Sequence, residues 1–143
     1  MTEKNHERRF HGDAGRLRSA DRIALLEVDK VVTLSIEGLV TPGILDVGTG
    51  TDVFAEAFVA RGFAVTGIDT NSDLLQEAGQ LVPSAEFKQA AAEALTYGNG
   101  TYEVVFLAHV LHETDDPIGA LSEARRVATK RGVVMECPYV RED

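Results

Sequence analysis

Residues 44–52, ILDVGTGTD, carry the first chemistry in the chain. An apolar run ends in Asp46 and breaks into a turn with Gly48, Thr49 and Gly50. Glycine has no Cβ, so the backbone N–H groups of such a turn can approach a ligand closely. A helix following the turn adds partial positive charge at its N-terminus. Asp69 stands 21 residues beyond Gly48, at the end of a second apolar run, FAVTGID. An acid at that distance can accept hydrogen bonds from both ribose hydroxyls of an adenosine. Either half alone is a weak signal, but strand, turn, helix, strand and acid in that order point to an adenosine ligand. A nicotinamide dinucleotide needs a third glycine at position 53, where the chain has Val53. The G-x-x-x-x-G-K-S/T pattern of ordinary nucleoside triphosphatases is absent.

A second group lies at the end of a later apolar run, in HVLHE. His109 and His112 are weak candidates for a general base, because imidazole titrates near neutrality. The alternative is a pair of loop histidines that shape a pocket or satisfy backbone groups. With Glu113 they invite a metal reading, but the order is not the H-E-x-x-H of zinc proteases, and no metal site is expected. Cys137 reads as a small buried hydrophobe. TYGNGTY reads as a turn, with Asn99 and Gly100 supplying the unusual backbone angles.

These residues need elements to hold them. Ser19 is a good N-cap for a segment, 19–39, whose apolar spacing suits one or two helices with a break near Val28–Asp29. GILDV, 43–47, reads as a short buried strand, and DVFAEAFVARG as a helix stopped by Gly62. FAVTGID, 63–69, is the second strand, and NSDLLQEAGQL is a capped helix closed by Pro83. AEFKQA is a third, weaker strand, and TYEVVFLAHVL carries a fourth, apolar on both faces. DPIGALSEARRVAT reads as a helix with Pro117 in its first turn, and RGVVMECP as a fifth strand. Alternating strands and helices, with strands apolar on both faces, predict a parallel sheet covered on both sides. The fold class is therefore α/β, a doubly wound, mostly parallel Rossmann-like sheet in the order 3-2-1-4-5. In such sheets ligands bind at the carboxyl ends of the strands, where the strand order reverses.

The 143 residues fit one domain, read as 19–143 behind an N-terminal arm, 1–18, rich in arginine. The formal charge of −9 argues against a nucleic-acid partner. Cys137 is the single cysteine, so no intrachain disulfide is available, which suits a reducing compartment. The charged N-terminus has no secretory h-region, and no apolar run approaches the roughly 18 residues of a membrane span. A cytoplasmic protein with no membrane partner is expected.

Residues 44–78, ILDVGTGTDVFAEAFVARGFAVTGIDTNSDLLQEA, resemble the first half of a class I S-adenosylmethionine-dependent methyltransferase of the type 11 group. The later run AAAEALTYGNGTYEVVFLAHVLHETDDPIGALSEARRVATKRGVVMECP resembles its second half. The likeness spans about residues 40–138, with five segments agreeing in order and spacing. It implies S-adenosylmethionine as cofactor, S-adenosylhomocysteine as product and a small-molecule acceptor. It also implies site roles. Asp46, Gly48, Thr49 and Gly50 would line the methionine part of the cofactor, Asp69 would hold the ribose and Thr70 would flank the adenine. Ala91 and Ala92 would sit beside the adenine edge, and Ala108 and His109 would face the methyl-bearing sulfonium.

Three departures from the family pattern stand out. Its third loop glycine is Asp52 here. Turned inward, that carboxylate would repel the cofactor's own by on the order of 4 kcal/mol at about 4 Å and an effective dielectric near 20; turned outward, it would act as a cap at little cost. The family often has an Asp that accepts from the adenine amino group, and that place is Ala91 here. The chain stops at Asp143, after strand five, whereas the family fold continues with a helix and two antiparallel strands. With the late strands missing, strand five would be an open edge carrying Val133, Val134 and Met135, which invites pairing. A homodimer through 132–137 is the expectation, or else an incomplete fold. Two functions stay open: methyl transfer to a small molecule, and a non-catalytic methyltransferase-like protein acting as a dimeric scaffold or regulatory subunit.

Overall fold

A computed structural model describes residues 27–40, 43–50 and 53–136. The arm 1–18, the start of the 19–39 segment, Asp52 and Cys137 lie outside the described residues. Five parallel strands form one sheet in the order β3-β2-β1-β4-β5. They are β1 (Ile44–Val47), β2 (Val65–Asp69), β3 (Glu86–Gln89), β4 (Tyr102–Ala108) and β5 (Ala128–Met135). The helices are α1 (Val28–Ser35), α2 (Val53–Ala60), α3 (Ser72–Leu81) and α4 (Pro117–Val127).

Alternation along the central strands builds two cores. Ile44, Val104 and Phe106 face one side, where Val28 and Val32 of α1 and Phe54 and Phe58 of α2 cover them. The Phe106 ring lies 5.0 Å from Phe54 and 5.3 Å from Phe58, in the tilted and edge-on arrangements that aromatic pairs favour. Leu45, Val47, Val105 and Leu107 face the other side, against Ala124 and Val127 of α4. This two-sided burial explains why every residue of β1 is buried and why Val104–Leu107 of β4 form an unbroken apolar run.

Local signals set the ends. Asn71 caps α3, its side chain accepting from the N–H groups of Asp73 and Leu74. Asp116 caps α4 through the Gly119 N–H, and Pro117 takes the first turn, where its missing donor costs nothing. Glu27, at φ 49, precedes α1, which begins at Val28. The α4 helix ends at Val127 and β5 begins at Ala128, so the helix is shorter than expected and the strand starts earlier, with no loop between them. Pairing continues through a register shift between Tyr102 and Val104, which absorbs the abrupt entry. On β2, an added Cβ at Gly67 would stand 2.7 Å from the Phe87 ring and 2.8 Å from Thr49 Oγ1, so only glycine lets β3 and the β1 turn close on this strand.

Candidate functional site

The carboxyl ends of β1, β2 and β4 meet where the strand order reverses. β1 is flanked by β2 on one side and β4 on the other, and the first glycine turn leaves from its end. Gly48 and Gly50 both have left-handed backbones, φ 70 and 51, a conformation that favours glycine. Between them the Thr49 N–H donates to the Ile68 carbonyl at 2.8 Å, and the Thr49 hydroxyl donates to Asp46 Oδ2 at 2.8 Å. Asp46 and Thr49 are buried. Burial of a carboxylate is tolerable only with such partners.

Asp69 ends β2 and joins the two turns. Its Oδ2 accepts the Gly50 N–H and its Oδ1 the Asn71 N–H, both at 2.9 Å. An ionised carboxylate has about four acceptor positions, so two backbone donors fix its plane and leave capacity for further donors. Thr70 follows, exposed, and its carbonyl accepts from Gln89 Nε2 at 3.0 Å. Ala91 and Ala92 are half-buried just past β3, where Ala91 pairs with Ala94 in an isolated bridge.

On the other side of β1, Ala108 closes β4 and His109 follows with φ 57. A left-handed backbone costs a residue with a Cβ roughly 1–2 kcal/mol. The His109 N–H donates to the Met135 carbonyl at 2.8 Å, and the chain then turns back. Val110 lands on the glycine turn, so that an added Cβ at Gly48 would stand 2.4 Å from its Cγ2. His112 is exposed, its Nδ1 lies 2.8 Å from Glu136 Oε2, and its ring centroid is 6.2 Å from that of His109. Thr114 donates to Glu93, tying this loop to the segment after β3.

The structure thus brings Asp46, Gly48, Thr49, Gly50 and Asp69 into one hydrogen-bonded unit, with His109 next to Val110, which packs on its glycine turn. Thr70, Ala91 and Ala92 lie on the β2–β3 flank. Sequence reasoning missed Val110, Asn71 as a partner of Asp69, and Glu136 as a partner of His112. Asn71 had a visible signal as a helix cap, whereas the other two contacts join residues far apart in sequence. No group of three or more metal-ligating side chains occurs among the described residues. No helix among them is long and apolar enough to cross a membrane.

A family model described as a methyltransferase domain matches residues 45–135. The chain is 32% identical to the demethylmenaquinone methyltransferase of Chlorobaculum parvum over 108 residues, covering 75% of this chain and 43% of that protein. It is 31% identical to the ubiquinone biosynthesis O-methyltransferase of Nitrosomonas europaea over 107 residues, covering 69% and 44%. Among solved structures, a SAM-dependent methyltransferase from Aquifex aeolicus superposes with a TM-score of 0.69 at 25% identity, over 80% of this chain and 65% of that one. The chain spans about half the length of the curated relatives it matches. With the 3-2-1-4-5 sheet and its glycine turn, the match over most of the described residues shows that the chain belongs to the type 11 group of class I S-adenosylmethionine-dependent methyltransferases.

Proposed function

We propose that this chain binds S-adenosylmethionine at the carboxyl ends of β1 and β2 and transfers its methyl group to a small-molecule acceptor. The observation that carries the reading is the Gly48–Gly50 turn, locked to Asp69 through the Gly50 N–H. The fit is favourable on two counts. Among the described residues, an added Cβ at Gly50 would have no neighbour nearer than 3.7 Å. The Asp69 carboxylate, fixed by two N–H groups, retains acceptor capacity for ribose hydroxyls.

In this reading Asp46, Gly48, Thr49 and Gly50 line the methionine part, with Thr49 held by Asp46 so that its backbone is rigid. Thr70, Ala91 and Ala92 flank the adenine, and Ala108 and His109 face the sulfonium. Bound there, the cofactor supplies an electrophilic methyl carbon on a positively charged sulfur. The chain's task is then alignment of two reactants, which can contribute roughly 7–11 kcal/mol. A small-molecule acceptor accords with the named relatives. The acidic balance of −9 disfavours nucleic acid, and the single cysteine accords with the cytoplasm.

Calorimetric titration with S-adenosylmethionine and S-adenosylhomocysteine, with NAD as control, tests the reading. Micromolar binding of the first two and none of NAD is expected. Silence at millimolar ligand would overturn it and would leave the turn as inherited architecture.

A second reading rests on the outer edge of β5. No described strand pairs there, and Val134 is 45% exposed. Unpaired edges recruit strands, so a second copy pairing through 132–137 would make a dimeric scaffold. Sedimentation equilibrium separates a dimer from a monomer, and Val134→Lys would weaken the dimer.

A further inference from the structure

The sheet has two edges, and they are built differently. β3 is four residues long, and Glu86 and Lys88 alternate along it. Shortness and charge are how soluble proteins keep an edge from pairing. β5 is eight residues long, and its last four, Gly132–Met135, carry no charge. Arg131 does not guard this stretch. Its guanidinium is turned onto the α1 layer, donating to the Ser35 carbonyl at 3.0 Å and the Glu37 carbonyl at 2.9 Å. Those bonds pin the start of the strand before any partner arrives.

The backbone direction of the open edge follows from one hydrogen bond. The His109 N–H donates to the Met135 carbonyl, so Met135 points its peptide groups at β4. In a strand a residue's N–H and C=O leave on the same side, and successive residues alternate. Val133 therefore also points at β4, while Gly132 and Val134 present their N–H and C=O to the open edge. Both are exposed, and a Cβ at Gly132 would meet nothing within 4 Å. Val133 and Met135 pack toward the α1–α2 core, so the Val134 side chain stands on the face that α4 covers.

Two outward residues set two apart are self-complementary. We infer that two copies of the chain join through β5 in one antiparallel register, with Gly132 opposite the partner's Val134 and Val133 on the two-fold axis; this rests on the dimer reading above. Each Gly132–Val134 pair exchanges both of its N–H···O=C bonds. Each Val134 side chain covers the bare glycine of the other copy. Lys130 precedes the stretch and Glu136 follows it, so an antiparallel copy brings unlike charges together, whereas a parallel one would set like charges side by side. The two-fold axis runs through the sheet, so both α4 helices lie on one face of the joined sheet, and α4 brings the exposed Ile118 and Leu121 to that layer. The contact is isologous and the β3 edge is defended, so assembly closes at two copies.

Sedimentation equilibrium of the full chain comes first, and a dimer is expected. The register is then read by cross-linking with glutathione disulfide in a Cys137→Ser background, where an inserted thiol is the only one. Val133→Cys should cross-link to itself, because opposed Cα atoms of a non-hydrogen-bonded pair lie about 4.5 Å apart, within disulfide reach. Gly132→Cys and Val134→Cys should each stay single, because each sits about 7–8 Å from its own mate. Combined in one chain they are opposed, and the double variant should cross-link at least about 10-fold faster than either alone. It also carries the test if Val133→Cys disturbs the core. A monomer would remove both the dimer reading and this inference. A species larger than a dimer would overturn the closed assembly. A dimer in which Gly132→Cys or Val134→Cys alone cross-links fastest, or in which no variant cross-links, would overturn the register and leave the dimer reading standing. Neither arm needs the cofactor, so the outcome is separate from that of the methyl-transfer reading.

Discussion

The two flanks of β1 are built on different principles. On the β2 side the site is made of backbone and short, fixed groups: two left-handed glycines, a buried Asp46–Thr49 pair and an Asp69 held by two N–H groups. On the β4 side it is made of side chains on a strained loop, with a left-handed His109, an exposed His112 and a carboxylate brought in from β5. The first flank suits a ligand that never changes, because every element is set before binding. The second suits a partner that varies, because a side chain can be exchanged without disturbing the sheet. The contrast accords with the proposed division between cofactor and acceptor.

Gly48→Ala should break the contrast most severely, since this residue touches both flanks. The new Cβ would meet Val110 and sit in a left-handed backbone, so calorimetry should show S-adenosylmethionine binding weakened by about 100-fold or more. Val110→Ala added to it should relieve the contact but leave the backbone strain, giving partial recovery. Asp69→Asn tests the first flank alone. Losing a charged acceptor should weaken binding by about 10–100-fold, corresponding to roughly 1–3 kcal/mol, with some loss of stability because the new NH2 faces a backbone N–H.

The second flank is sharpened by comparing His109→Gly with His109→Ala. Both delete the ring, but only glycine relaxes at φ 57, so the Gly variant should be the more stable by about 1 kcal/mol in urea unfolding. Equal stabilities would mean the turn is not strained. Tyr97→Phe, away from both flanks, should have the smallest effect. The Tyr97 hydroxyl is buried with no hydrogen-bond partner among the described residues, and burial, then the Tyr102 phenol, pushes its pKa up to about 12. Its removal should leave neutral-pH stability unchanged or slightly raised. Because the folded pKa lies above the unfolded value, Tyr97 leaves stability undiminished below pH 10. Stability falls as pH rises from 10 toward 12, where the unfolded tyrosine ionises before the buried one. Thermal scans in that window should show a shallower alkaline decline in the Phe variant.

The β1–β2 flank was legible in the sequence because its logic is local. Glycines, an acid and an N-cap each act within a few residues of their own position, and the spacing from Gly48 to Asp69 follows from one strand–helix–strand unit. The sheet order was legible because doubly apolar strands and right-handed crossovers allow few topologies. The β4–β5 flank was less so. HVLHE showed two imidazoles but not that His109 would take a left-handed backbone, since nothing about histidine requires one. Glu136 reads as an ordinary strand-end acid until the parallel pairing of β4 with β5 lays it beside a loop 24 residues earlier. The boundary between α4 and β5 was misplaced for a related reason: RRVATKRG has no proline and no early glycine to mark a stop.

The missing loop joins α4 directly to β5. Val127 ends the helix and Ala128 begins the strand, and the one extra residue between Ala128 and Arg131 is the slack at the entry. Arg126, in the last turn of α4, grips the Leu95 and Tyr97 carbonyls and anchors the joint. A small rotation of α4 would be transmitted along β5 to Glu136 at its far end. One inserted residue at the joint would invert the facing of the strand beyond it. Variation in a helix remote from the loop would thereby shift how Glu136 meets His112 while the glycine turn stays untouched.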